Sequence, residues 1–70
     1  MQPPKSSTLN SVMLISPADV VLMNKPFTTF KEAQDKYFRV CRQCTADQWY
    51  GAQVVLYDDI GRLYATDVIE

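Results

Sequence analysis

Residues 25–44 read KPFTTFKEAQDKYFRVCRQC, and this is the one stretch of the chain with a clear helical period. Thr29-Phe30-Lys31-Glu32 has the form of a capping box. In such a box the Thr29 hydroxyl accepts from the third helical amide, and Glu32 reaches back to the amide of Thr29. Asn24-Lys25-Pro26 upstream is turn material, and Pro26 holds Lys25 out of helical geometry. Phe30, Ala33, Tyr37, Val40, Cys41 and Cys44 fall on one stripe, with Phe38 at its margin, while Lys31, Glu32, Asp35, Arg39, Arg42 and Gln43 fall largely outside it. That is an amphipathic helix of about four turns. Glu32–Lys36 and Asp35–Arg39 add acid-before-base pairs, and Arg39 and Arg42 sit late in the helix where cations suit its dipole. Such a helix is marginal alone and must lie on something apolar.

The flanking runs supply that surface. Ser11 to Ser16 (SVMLIS) and Val20 to Met23 (VVLM) have strand length, with Ser16-Pro17-Ala18-Asp19 as a type I turn between them. A hairpin is the natural reading, although the second run also suits a loop that packs Val and Leu under the helix. Thr45 to Gln48 is a polar link after the helix. Trp49 to Tyr57 then alternates, with Gly51 hinting at a bulge. Asp58-Asp59-Ile60-Gly61 is an Asp-led turn with Gly at the left-handed position, so Arg62 to Ile69 is the return strand. Leu63 and Ala65 share one face of that strand; Tyr64, Thr66 and Val68 share the other. The order β(β)αββ predicts an α+β two-layer sandwich, a three- to four-stranded antiparallel sheet with the helix across one face. The helical stripe should meet Val54, Leu56, Leu63, Ala65 and alternate residues from Val12 to Ile15.

Seventy residues make one small domain, residues 11–70, behind a Pro/Ser/Thr-rich leader, residues 1–10. The content is 47% hydrophobic and 21% charged, ordinary for a folded chain. Seven basic and eight acidic residues leave a net charge of −1, which argues against both nucleic-acid binding and acidic mimicry. No apolar run reaches the roughly 18 residues of a membrane span. The start lacks the pattern of a signal peptide, and two cysteines without export signals suggest reduced thiols, so a cytoplasmic location is expected.

The chain has no histidine, which removes the commonest triads and the commonest metal ligand. Its two glycines cannot build a phosphate loop. Cys41-Arg42-Gln43-Cys44 is a CxxC, open to three readings: a redox dithiol, half of a zinc site shared by two chains, or two small buried apolar side chains. A redox pair belongs at a helix N-terminus, and this one closes the helix at the other end. Asp58 and Asp59 serve the turn. No catalytic residue, metal ligand or cofactor is therefore expected, and the chain is not expected to be an enzyme.

The aromatics carry more. If Leu56 and Leu63 face the helix, Val55, Tyr57, Tyr64 and Val68 face away, and an uncovered sheet face of this kind marks a contact site. Trp49, Tyr50, Tyr57 and Tyr64 are the expected partner-binding anchors, with Arg39, Arg42 and Arg62 as a charged rim. Three alternatives stay open: swapped faces that make the tyrosines core, a leader folded over them, or single-stranded nucleic acid held by the aromatics and the basic helix residues.

The layout of a short strand, a Thr-capped helix opening TTFKEAQ, then a strand and a D-D-x-G-R hairpin resembles several tiny phage proteins. It is similar to small anti-CRISPR proteins with one helix on an antiparallel sheet. It is also similar to small phage inhibitors of host RNA polymerase, with Thr29, Phe30, Glu32 and Ala33 as the matching positions. The likeness covers Thr28 to Ile69. It implies a non-enzymatic blocker, a phage or mobile-element accessory protein that occupies a surface of a larger host complex. A homodimer through the sheet face or an edge strand also fits this outline.

Overall fold

The structure, a computed structural model, describes residues 10–70. Its elements run β1 (Asn10–Ile15), β2 (Val21–Phe27), α1 (Phe30–Ala46), β3 (Gln53–Tyr57) and β4 (Leu63–Val68). Thr29 caps α1 as its sequence requires, with φ −121° and ψ 151°, its hydroxyl accepting from the Glu32 N–H at 3.2 Å. The reciprocal half of the box is not made: the Glu32 carboxylate accepts instead from the Thr28 hydroxyl at 3.3 Å. The helix also outruns Cys44, taking in Thr45 and Ala46, because the Asp47 N–H still reaches the Gln43 carbonyl at 2.9 Å. Its last turn therefore carries no basic residue, and Arg42 sits a turn earlier than the sequence suggests.

The first hairpin forms, and the second apolar run is a strand rather than a loop. Asp19 donates to the Ser16 carbonyl at 2.9 Å and Ser16 to that of Val20 at 2.8 Å, while the Ser16 hydroxyl accepts from Ala18 and Val20. Asp19 takes the left-handed position at φ 67°. Asn24-Lys25-Pro26 is not turn material but the body of β2. Pro26 is tolerated there because β2 is an outer strand and the proline nitrogen faces away from its neighbour. Asn10, placed with the leader from sequence, opens β1 and is buried. The rest of the expected leader, residues 1–9, lies outside the described residues.

Only Gln53–Tyr57 of the second alternating run is strand. Gly51 makes no bulge inside it; at φ 91° it reverses the chain ahead of β3, its N–H donating to the Ile69 carbonyl at 2.8 Å. A Cβ there would lie 3.2 Å from that of Pro17, so the first hairpin turn and this one touch. In the second hairpin Asp58 ties the turn together. Its carboxylate accepts from the N–H groups of Ile60 and Arg62 at 3.1 and 2.9 Å and from Arg62 Nε at 3.3 Å, with Gly61 at φ 82°. Those bonds, the Arg62 N–H first, hold the Asp58 carboxyl below its ordinary value.

The four strands form one antiparallel sheet, order β2-β1-β3-β4, with α1 across one face, an α+β two-layer sandwich. Val12, Val54 and Leu56 from the sheet meet Ala33, Tyr37 and Cys44 from the helix, and Leu14, Phe30, Val40, Cys41 and Ala65 pack around them. Met23 and Phe27 of β2 join this core, as do Ala52 and Ile69 at the far end. Leu63 does not. The β3–β4 register slips between Leu56↔Ala65 and Tyr57↔Leu63, so Tyr64 is an extra residue on β4. A one-residue slip reverses every side chain before it, which sends Leu63 to the open face and Tyr64 to the helical side.

Candidate interaction surface

Alternation along each strand defines the face opposite the helix. Val12, Leu14, Val54, Leu56 and Ala65 point to the core, so Met13, Ile15, Val55, Tyr57, Thr66 and Val68 point the other way. Leu63, opposite Tyr57, joins them through the bulge. Val55 at the centre, flanked by Met13 and Thr66, is only 4% exposed, while Leu63 and Val68 at the β4 side are 58% and 48% exposed. A hydrogen bond from Gln53 Nε2 to Thr66 Oγ1 at 3.1 Å stiffens the strip between them. Among the described residues no second helix or sheet covers this face. The face sets aliphatic side chains beside the polar Ser11, Gln53 and Thr66, with one tyrosine at its margin, and no Lys or Arg stands among these residues.

The seven residues singled out from sequence do not form one surface. Tyr57 alone of the four aromatics points from the open face. Tyr64, expected beside it, packs edge-on to Phe30 of the helix, ring centres 4.8 Å apart at 74°, although 59% exposed. The bulge is the reason for that correction. Trp49 is on the helical side, lining a cleft of about 360 Å³ with Leu14, Lys36, Arg39 and Val40. Tyr50 is exposed in the turn before β3. Arg39 meets Trp49 at that cleft, and Arg42 stands further round the helix beside Ala46. Arg62 accompanies Tyr64 at a cleft of about 430 Å³ near the start of α1. The structure thus joins Trp49 with Arg39 and Tyr64 with Arg62, and separates both pairs from Tyr57. Met13, Ile15 and Leu63 are the surface residues that sequence reasoning missed. Met13 and Ile15, which alternate with Val12 and Leu14 along β1, were the available signal for the first two.

On the helical side Cys41 lies against Tyr37 and Asp67, where α1 approaches β4. Burial first, then the Asp67 carboxylate, pushes the Cys41 thiol up to about 11. Burial likewise pushes the Tyr37 hydroxyl up to about 12, with Cys41 and Asp67 adding to it, and burial also raises Cys44. Both cysteines are free thiols. A thiol held protonated is a poor nucleophile, so the pair behaves as packing rather than as a reactive dithiol. The shifts set an alkaline limit. In the folded chain these acids keep their protons longer than in the unfolded chain, so their contribution is complete below about pH 9 and falls away as pH rises through 11 and 12. The urea midpoint should accordingly drop between about pH 9 and 12, and Tyr37→Phe should flatten the upper part of that fall.

Among the described residues no three Cys, Asp or Glu side chains gather as a metal site would require. None of their helices is long and apolar enough to cross a membrane. Comparison of the chain with protein-family models, with curated proteins and with solved structures gives no match.

Proposed function

We propose that this chain is a non-enzymatic protein-binding module, a phage or mobile-element accessory protein that inhibits a larger host complex by covering one of its surfaces in the host cytoplasm. The observation that carries this reading is the sheet face that no helix or second sheet covers among the described residues, with Leu63 exposed beside Tyr57 at one end and Val68 exposed at the other. Contiguous apolar surface on a small folded chain is where partners dock. The likeness in layout to small phage inhibitors supplies the class of partner.

Tyr57 on the open sheet face and the basic residues Lys31, Lys36, Arg39 and Arg42 on the helix belong to different layers, which favours a protein partner, while the cleft shared by Trp49, Lys36 and Arg39 is the ground for the alternative, single-stranded nucleic acid. The test uses the tagged chain as bait in a bacterial host extract, with and without nuclease, washed at low salt and at about 0.5 M salt. The expected result is one discrete host protein or complex retained in every arm, since apolar contact responds little to salt. Release by salt or by nuclease overturns the reading in favour of phosphate contacts.

A further inference from the structure

The way α1 ends places Trp49. Gln48 takes the left-handed position at φ 58°, its N–H donating to the Thr45 carbonyl at 3.0 Å, and the Trp49 N–H turns back to the Cys44 carbonyl at 2.9 Å. This doubly bonded helix stop folds the side chain that follows it back onto the last turns. Trp49 therefore lies with Val40 of the helix and Leu14 of β1 as the apolar floor of the cleft of about 360 Å³, and it is still 37% exposed. Lys36 and Arg39 stand at the same cleft on neighbouring turns, Lys36 half-buried. Glu32 and Asp35 precede them by four residues, yet neither pair forms: among the described residues the one ion pair is Arg62 with Asp58. Asp47 closes the other end of the cleft, about 12–16 Å further along the helix axis. There its carboxylate accepts from Gln43 Nε2 at 3.1 Å. The cleft is cationic at one end, apolar in the middle and an acceptor at the other end.

We propose that this cleft is a second binding site, which takes a peptide segment carrying a carboxylate next to an apolar side chain. Its volume lies within the range of pockets that hold small ligands. The carboxylate pairs with Lys36 and Arg39, which have no carboxylate of their own chain at ion-pair distance among the described residues. The apolar side chain lies on Trp49, Val40 and Leu14, and the backbone N–H groups of the segment donate to Asp47. Charge complementarity favours a peptide over a nucleic-acid strand. A strand carries a negative charge at every nucleotide and has no backbone donor, so laid along the cleft it sets a phosphate against Asp47. A peptide places its acid at one end only and brings N–H groups to the other. The cleft and the open sheet face belong to opposite layers, so this ligand is separate from the host partner and the site stands whether or not that partner docks.

Trp49 provides the test, because it is the single tryptophan of the chain and its fluorescence reports this cleft alone. Titration with an acetylated, amidated peptide holding a pair of glutamates beside one phenylalanine should shift Trp49 emission saturably, with half-saturation below about 1 mM. The same peptide with glutamines in place of the glutamates should bind about tenfold more weakly. Lys36→Gln and Arg39→Gln in one chain should lose about as much for the original peptide, with circular dichroism unchanged, since neither side chain belongs to the buried core. Leu63→Glu with Val68→Glu should bind the peptide like wild type, which separates this site from the open sheet face. Absence of a saturable shift overturns the proposal. So does equal binding of the glutamine peptide, or of the folded Lys36 and Arg39 variant. Oligothymidylate that binds more tightly than the peptide at the same salt concentration assigns the cleft to nucleic acid instead.

Discussion

Replacing Leu63 and Val68 together by Glu is expected to abolish capture of the host partner while leaving the chain folded. The two side chains are 58% and 48% exposed, and neither belongs to the core packed under the helix. Charges there remain in water in the free protein, so the expected change in folding stability is within about 0.5 kcal/mol per site. In the complex the same charges would be stripped of water against an apolar surface. Truncating a central anchor alone costs about 1–4 kcal/mol of binding, and a buried unpaired carboxylate costs more. A loss of well over tenfold in affinity, by titration against the captured partner, is the result to look for. Unchanged capture would place the contact elsewhere. A collapse of the circular dichroism signal would show that Leu63 is core after all.

Leu56→Ala should do the opposite and remove the fold itself. Leu56 sits on the central strand β3, fully enclosed between β1, β4 and the helix, and is among the largest side chains buried in the chain. Losing its methyl and methylene groups costs about 2–5 kcal/mol, transfer and cavity together. A chain of this size has only about 3–5 kcal/mol to lose. The variant should therefore be largely unfolded at 37 °C, whereas Leu63→Ala, in the neighbouring strand of the same hairpin, should melt close to wild type. Equal losses from the two alanines would mean that the β4 register is wrong.

That contrast also shows where sequence reasoning succeeded and failed. The capping Thr29, the stripe from Phe30 to Cys44 and the Asp58–Gly61 turn are local devices, each complete within a few residues, and they delivered the helix and the second hairpin. The face of Leu63 and Tyr64 was not legible, because period-two alternation assumes an unbroken strand and the extra residue at Tyr64 depends on how β3 pairs with β4. Pro26 misled for a related reason. A proline ends a strand unless its nitrogen faces solvent, and that depends on β2 lying at the edge of the sheet. Ala52 shares the face of Val54 and Leu56 by alternation, but Ile69 was passed over as a core residue because it reaches the core only by pairing with Ala52 outside the regular strands, donating to the Ala52 carbonyl. The seven chosen contact residues do not share one face for the same cause: residue type marked them, but only register and topology decide on which side of the sheet each one stands.

Oxidative footprinting by mass spectrometry, on the free chain and on the chain bound to its captured host partner, asks directly which layer makes contact. Met13, Tyr57 and Leu63 report the open sheet face, while Phe38 and Trp49 report the helical side. The expected outcome is that labelling of Met13, Tyr57 and Leu63 falls several-fold in the complex and labelling of Phe38 and Trp49 does not change. Protection of Phe38 and Trp49 with Tyr57 and Leu63 still labelled would contradict the assignment and move the contact to the helix.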